Sequence, residues 1–259
     1  MRASQQPSNV KATMHYPLQL SNEERAALGH KLFADVQTQI FHGVSYPSFF
    51  NDVVSPEADY NVIYTYADQE RMIGYLGYWY VLCELQGKPS VLVRSAGGVM
   101  PEYQSKNLIG PASARFLLRL YMRFPLRSIY VFTSPINPMM YAAIDRTLTE
   151  YWPNPYSETP QHAQQLMEEI CSYFSYISCE DNPMIRKVGW KVSNIQQTIM
   201  RQNDPAVQFF CQHNPDYAEG YGLMVVSPLH WKNIITGVRR LFHKHRKRLF
   251  RARTTQATS

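Results

Sequence analysis

No apolar run in the 259 residues approaches the roughly 18 consecutive apolar positions of a membrane-spanning helix, so no such helix is expected. The first 20 residues lack an apolar centre too. Arg2, Gln5, Gln6, Asn9, Lys11 and His15 are spread through them, which argues against a secretory leader and predicts a flexible segment over 1–19. Cysteine is scarce, and Cys83, Cys171, Cys179 and Cys211 have no C-x-x-C spacing. In apolar surroundings they read as reduced core thiols of a cytoplasmic protein. Internal repeats and low-complexity tracts are missing as well. The last absence is of negative charge: residues 231–259 contain nine of the 26 basic residues and no acid. The remaining 17 basic residues face 20 acidic ones, so the body carries about −3 within a net charge of +6. What is present, 45% hydrophobic residues and 18 tyrosines, suits one packed domain with extensions.

Along that domain the periodicities alternate. Ser21 is placed to cap a helix whose Glu23 and Glu24 favour its positive end, with Ala26, Ala27, Leu28, Leu32, Phe33, Val36 and Ile40 at helical spacing. A second short helix carries Phe49, Phe50 and Val53 and ends near Pro56. Strands are expected at Val62 to Tyr66, Arg71 to Leu85 and from Ser90, the last entered through a Gly87-Lys88-Pro89 turn, which makes an antiparallel meander. A helix then runs from Gly110 to about Phe124 with Phe116, Leu117, Leu120 and Tyr121 inward. The short strand Ser128 to Thr133 follows it, and strand, helix, strand implies a parallel crossover. Helices over Met139 to Leu148 and Gln161 to Ser178 come next, separated by a proline-rich loop, and late strands are expected at Val188 to Val192 and Leu223 to Val226. The start of the helix at 110 is the most informative point. Its first amides lack internal partners and the helix dipole adds positive charge, so a tight loop feeding it forms an anion site, suited to a phosphorylated cofactor.

This order, with VMPEYQSKNLIGPASARFLL at 99–118 and SIYVFTSPINPMMYAAI at 128–144, resembles the GNAT acyltransferases over roughly residues 20–150. The resemblance implies an α/β (α+β) fold: a mixed, mainly antiparallel twisted sheet of about six or seven strands flanked by helices. It places a domain at 20–230, with a helical extension at about 150–220, before a basic helix and tail at 231–259. It further implies an acyl-CoA loop in which Gln104 takes the first motif position and Asn107 the first glycine's. Ile109 takes the second small position, where its branched side chain crowds the pyrophosphate unless Gly110 takes over in a shifted loop. Ser105, Lys106, Leu108 and Gly110 complete that loop, Val99 and Met100 supply backbone beside the thioester, and Asn137 starts the following helix. The implied reaction is acyl transfer from acetyl-CoA or a longer acyl-CoA, or from an acyl carrier protein, to an unidentified amine. Glu84 and Glu102 are the candidate bases, and Tyr141 and Tyr103 the candidate acids for the leaving thiolate. The rival reading is a non-catalytic domain of the same fold that binds a ligand or a protein.

Two features stand outside the resemblance. His213, Asp216 and Glu219 fall within seven residues, but in a Pro- and Gly-containing turn without a second His or Cys at a recognisable interval. A surface turn that lines the acceptor pocket is the preferred reading, and no metal is expected. In the tail, Trp231, Ile234, Ile235, Val238, Leu241, Phe242, His245 and Leu249 share one helical face, and Lys232, Arg239, Arg240, Lys244, Lys247 and Arg251 the opposite one. Such a helix suits an anionic membrane surface through 231–253, or docking of its first half on the protein's own core. Nucleic acid is a weaker match, and the same charge could steer an acyl carrier protein. The expected location is the cytoplasm, peripheral on the inner face of a membrane.

Overall fold

Residue alternation on three long strands sets the architecture. In the computed structural model, which describes residues 10–174, 178–179, 182–192 and 203–235, the first strand is β1 (Val10–His15). Helix α1 (Asn22–Leu32) follows, and Ser21 and Glu24 close a capping box at its start. It passes through a wider turn at Phe33–Gln37 into α2 (Thr38–Ile40) and the short β2 (Phe41–His42). Then come α3 (Tyr46–Phe49), which continues as a wide turn at Phe50–Val54, and the meander β3 (Tyr60–Asp68), β4 (Arg71–Leu85) and β5 (Lys88–Val99). Helix α4 (Ile109–Arg123) crosses to β6 (Ser128–Thr133), followed by α5 (Pro138–Asp145) and α6 (Gln161–Tyr173). The last elements are β7 (Ser178–Cys179), β8 (Asn182–Lys187), β9 (Lys191–Val192), α7 (Pro205–His213), β10 (Tyr221–Leu223) and β11 (Val225–Pro228).

The main sheet has the order β1-β3-β4-β5-β6-β11, and every neighbouring pair is antiparallel except β5 and β6, which run parallel around α4. This is the mixed, mainly antiparallel sheet flanked by helices that the sequence leads one to expect. On one face Val62, Tyr64 and Tyr66 of β3, Tyr78 and Tyr80 of β4, and Val91 and Val93 of β5 meet Phe116 and Leu120 of α4. Successive strand residues point to opposite faces, so their neighbours Ile63, Tyr75 and Leu92 pack on the other side. Ile63 and Tyr75 meet Leu32, Val36, Phe49 and Val53 of the N-terminal helices, and Leu92 meets Leu166 and Ile170 of α6. Tyr78 stacks on Phe116 with ring centroids 4.3 Å apart.

Several expectations are corrected. Residues 10–15 are a strand, because the edge of β3 offers an unpaired ladder and Val10 to His15 fill it opposite Asp68 to Ile63. The β4–β5 turn is Gln86-Gly87, both at positive φ, so that Leu85 faces Lys88 and Pro89 already belongs to the strand. Helix α5 ends at Asp145, and α6 ends at Tyr173, which is half exposed, while Ile177 lies outside the described residues. The strand expected at Val188 to Val192 is interrupted: Gly189 has φ +82°, and the amides of Val188 and Gly189 both donate to the Gly220 carbonyl. The strand expected at Leu223 to Val226 is split at Met224, whose amide reaches Met184, with β10 on β8 and β11 on β6.

Of the tail, the described residues reach Ile235. Residues 231–235 are helical, with Asn233 buried and Ile234 packed on the α4 side of the core, whereas Trp231 and Ile235 are exposed. Asn233 can be buried because its amide donates to the Pro228 carbonyl (2.7 Å) and its oxygen accepts from the amides of Thr149 and Glu150. Of the face expected to dock on the core, Ile234 packs there while Trp231 and Ile235 do not, and Val238 onward lies outside the described residues. Among the described residues no helix is long and apolar enough to cross a membrane.

Candidate functional site

The parallel pairing of β5 with β6 runs from Ser90 opposite Ser128 to Arg94 opposite Phe132 and stops there. β5 itself continues to Val99, still paired with β4 through Val99 opposite Gly74. Its residues 95–99 thus border a gap left by the departing β6. The Met100 amide donates to the Ile73 carbonyl (2.9 Å), and antiparallel alternation then turns the amide and carbonyl of Val99 away from β4, towards the gap. The Val99 carbonyl takes the Gln104 side-chain amide at 3.1 Å. At Gly98 an added Cβ would lie 3.0 Å from the Phe41 ring and 3.2 Å from Ile40, so only glycine lets β2 and α2 approach the strand this closely.

A cleft of about 370 Å³ occupies the gap. Gly97, Gly98 and Val99 form one wall, Tyr103, Gln104, Asn107, Leu108 and Ile109 the loop side, and Asn137, Met139, Met140 and Ala143 the α5 side. Gln39, Ile40, Phe41, Val192, Tyr217 and Ala218 close it. The loop is one short 3-10 turn, Pro101–Lys106, that ends on Asn107 in the left-handed conformation (φ 54°, ψ 45°). That is the conformation the sequence asked of Asn107 in place of glycine. Gly110 then lies so close that a Cβ there would sit 2.8 Å from the Asn107 Oδ1. Helix α4 starts with Leu108 at its cap, a residue with no side-chain oxygen to offer the first amides. The amides of Ile109 and Gly110 head the helix beside the cleft, an arrangement that attracts an anion. Asn137 caps α5, its side chain accepting from the Met140 amide at 2.9 Å.

Val99, Gln104, Asn107, Leu108, Ile109 and Asn137 therefore meet at one cleft. Met100 is buried behind it with its sulfur 3.2 Å from the Arg71 guanidinium, and Lys106 lies 4.4 Å from the Tyr103 ring. Ser105 belongs to the same turn. Glu102 faces solvent and pairs with Arg71 at 3.5 Å. Two candidates are not brought there. Glu84 is exposed at the β4–β5 turn, opposite Pro89, at the far end of the sheet. Tyr141 is fully buried between α5 and α7 and donates to the Pro153 carbonyl at 2.9 Å. Burial pushes its phenol well above the usual range.

Among the described residues, the titratable side chains that line the cleft are Tyr103 and Tyr217. Tyr103 donates to the Asp68 carboxylate at 2.9 Å, and that bond, ahead of desolvation, raises its pKa above the usual phenol value. Tyr217 and Ala218 come from the turn at 213–219, read from the sequence as lining a pocket. There His213 contacts the Phe209 carbonyl through Nδ1 and Glu219 holds Lys191 at 2.8 Å. Phe41, Met139 and Val192 carried no signal in the sequence, because only the fold brings β2, α5 and β9 to one opening. Among the described residues no group of three or more His, Cys, Asp or Glu is placed to hold a metal.

No protein-family model matches the chain, and no curated protein sequence does. Among solved structures it is similar to an aminoglycoside N-acetyltransferase AAC(6')-Iy in complex with CoA, at 15% identity over 55% of this chain and 89% of that one, TM-score 0.35. It is also similar to Arabidopsis thaliana NAA60 in complex with acetyl-CoA, at 10% identity over 84% of this chain and 98% of that one, TM-score 0.36. The Escherichia coli ribosomal-protein-S18-alanine N-acetyltransferase gives 10% identity over 85% and 94%, TM-score 0.35. Likenesses this low carry no argument, and the strand order and register stand on their own.

Proposed function

We propose that the protein is a GNAT-like N-acyltransferase that moves an acyl group from acetyl-CoA or a longer acyl-CoA to an amine. The observation that carries this reading is the gap where β5 runs on past β6, with the Val99 backbone turned into it and the bare start of α4 beside it. The diphosphate of the cofactor suits the amides of Ile109 and Gly110, with Asn107 turning the chain so that they converge. The pantetheine arm suits the unpaired edge at 95–99 in the manner of an added strand. The Val99 amide is then the donor that polarises the thioester carbonyl, its own carbonyl being occupied by Gln104.

The amine attacks that carbonyl, the carbon–sulfur bond breaks, and the thiolate takes a proton. Tyr103, on the cofactor loop, is the donor in place of Tyr141: its hydroxyl turns from Asp68 to the sulfur, gives up its proton and recovers one from water. The amine's own proton passes to water, since Glu84 lies at the other end of the sheet and, among the described residues, those lining the cleft include no carboxylate or imidazole. Alignment of amine and carbonyl is then the main catalytic device. Tyr103→Phe is expected to lower kcat by about 10- to 100-fold with little change in acyl-CoA affinity, read by thiol release. An unchanged kcat removes Tyr103 from the reaction. The same titratable poverty favours a second reading, a domain that binds the thioester without turning it over. Titration with acetyl-CoA, a long-chain acyl-CoA and an acyl carrier protein, each followed by a thiol-release assay, separates the two.

A further inference from the structure

From Tyr103 to Ile144 the sequence contains no Asp or Glu, yet it carries Lys106, Arg115, Arg119, Arg123 and Arg127. Arg115, Arg119 and Arg123 fall on α4 at four-residue spacing, which on a helix places them in one row, and Arg127 follows in the turn after it. Beside them Leu118 and Met122 make a second row at the same spacing, at 39% and 63% exposure, and Leu126 in the turn beyond the helix end is 95% exposed. The face that α4 owes to the core is already met by Phe116 and Leu120, so this outer apolar row serves no packing. On the same side of the sheet, Ile234 packs against the core that α4 covers, leaving Trp231 at 57% and Ile235 at 41% exposure. One exposed leucine is ordinary, but Leu118, Met122 and Leu126 beside the arginines, with Trp231 and Ile235 exposed on either side of the packed Ile234, mark an interaction surface.

Charge decides the occupant. A second copy of this chain would set arginine row against arginine row, and nucleic acid would match the charge but leave the apolar row unused. An anionic bilayer matches both, because phosphates meet the guanidiniums while leucine, methionine and tryptophan enter the acyl boundary. We propose that the outer face of α4, with the exposed residues of 231–235, docks the protein on an anionic lipid surface. Arg123 lies fourteen residues along the helix from Ile109, about 21 Å. Docking there leaves the cleft open and does not depend on the thioester reading.

The test is co-sedimentation of the full chain with vesicles of phosphatidylcholine alone or mixed with phosphatidylglycerol. Binding is expected only to the mixed vesicles and weakens with salt. Arg119→Gln/Arg123→Gln/Arg127→Gln, with the basic tail intact, loses about 100-fold in apparent affinity. Leu118→Gln/Met122→Gln/Leu126→Gln loses binding comparably, and near-ultraviolet circular dichroism verifies that both variants remain folded. Wild-type-like binding by either folded variant, or no binding by the wild type, overturns the proposal. So does a dimer in gel filtration that the apolar variant dissolves, which would assign the face to a second copy.

Discussion

Asn107 turns the candidate cofactor loop, and its backbone lies where most side chains crowd their own carbonyl. Asparagine tolerates that region through its short polar side chain, whereas a β-branched residue does not. Asn107→Gly is therefore expected to leave stability within about 0.5 kcal/mol, while Asn107→Val costs roughly 1–2 kcal/mol. Urea unfolding of both variants checks this, and equal midpoints would contradict it. Acyl-CoA binding should weaken with the valine, because the amides of Ile109 and Gly110 lose their shared direction. This part of the site was legible in the sequence, since left-handed tolerance is a property of the residue itself. Glu84 and Tyr141 were not. Their presence on a long strand and a helix was correctly read, but not which end or which side faces the opening. Glu84 lies eight residues along β4 from Leu76, the partner of Gly97, which is roughly 26 Å of strand.

At the scale of elements, β5 and α4 hold the site in place, because the strand walls the gap and the helix start heads it. Phe116 fixes α4 to the neighbouring strand β4. It is 6% exposed, stacks on Tyr78, and closes the core between helix and sheet. Phe116→Ala is expected to cost about 3–5 kcal/mol in thermal or urea unfolding. A loss below about 1 kcal/mol, the scale of a surface change, would mean that α4 is held by something else. The meander and its helix were legible because their apolar residues alternate or recur with a clear period. β1 was not, as four of its six residues are exposed and an edge strand carries little pattern. The interruption between β8 and β9 was equally hidden. It depends on Gly189 and Gly220 meeting, two residues 31 positions apart in the chain.

The whole molecule divides its charge as its sequence does. The body is mildly acidic, while α4 and the tail concentrate positive charge, with the cleft at one end of α4 and the exposed Leu126 beyond the other. The parallel pairing of β5 with β6 was legible from the strand, helix, strand succession, and it is the departure of β6 from β5 that makes a cleft of a turn. The dimensions of that cleft were not legible, since Phe41, Met140, Val192 and Tyr217 come from four separate stretches of chain. The most direct test of the account is calorimetric titration of the full chain with acetyl-CoA and a long-chain acyl-CoA, repeated on Asn107→Val. The account predicts saturable one-to-one binding of at least one of them, at least tenfold weaker in the variant. No heat of binding with either thioester, or equal affinity in the variant, would contradict it.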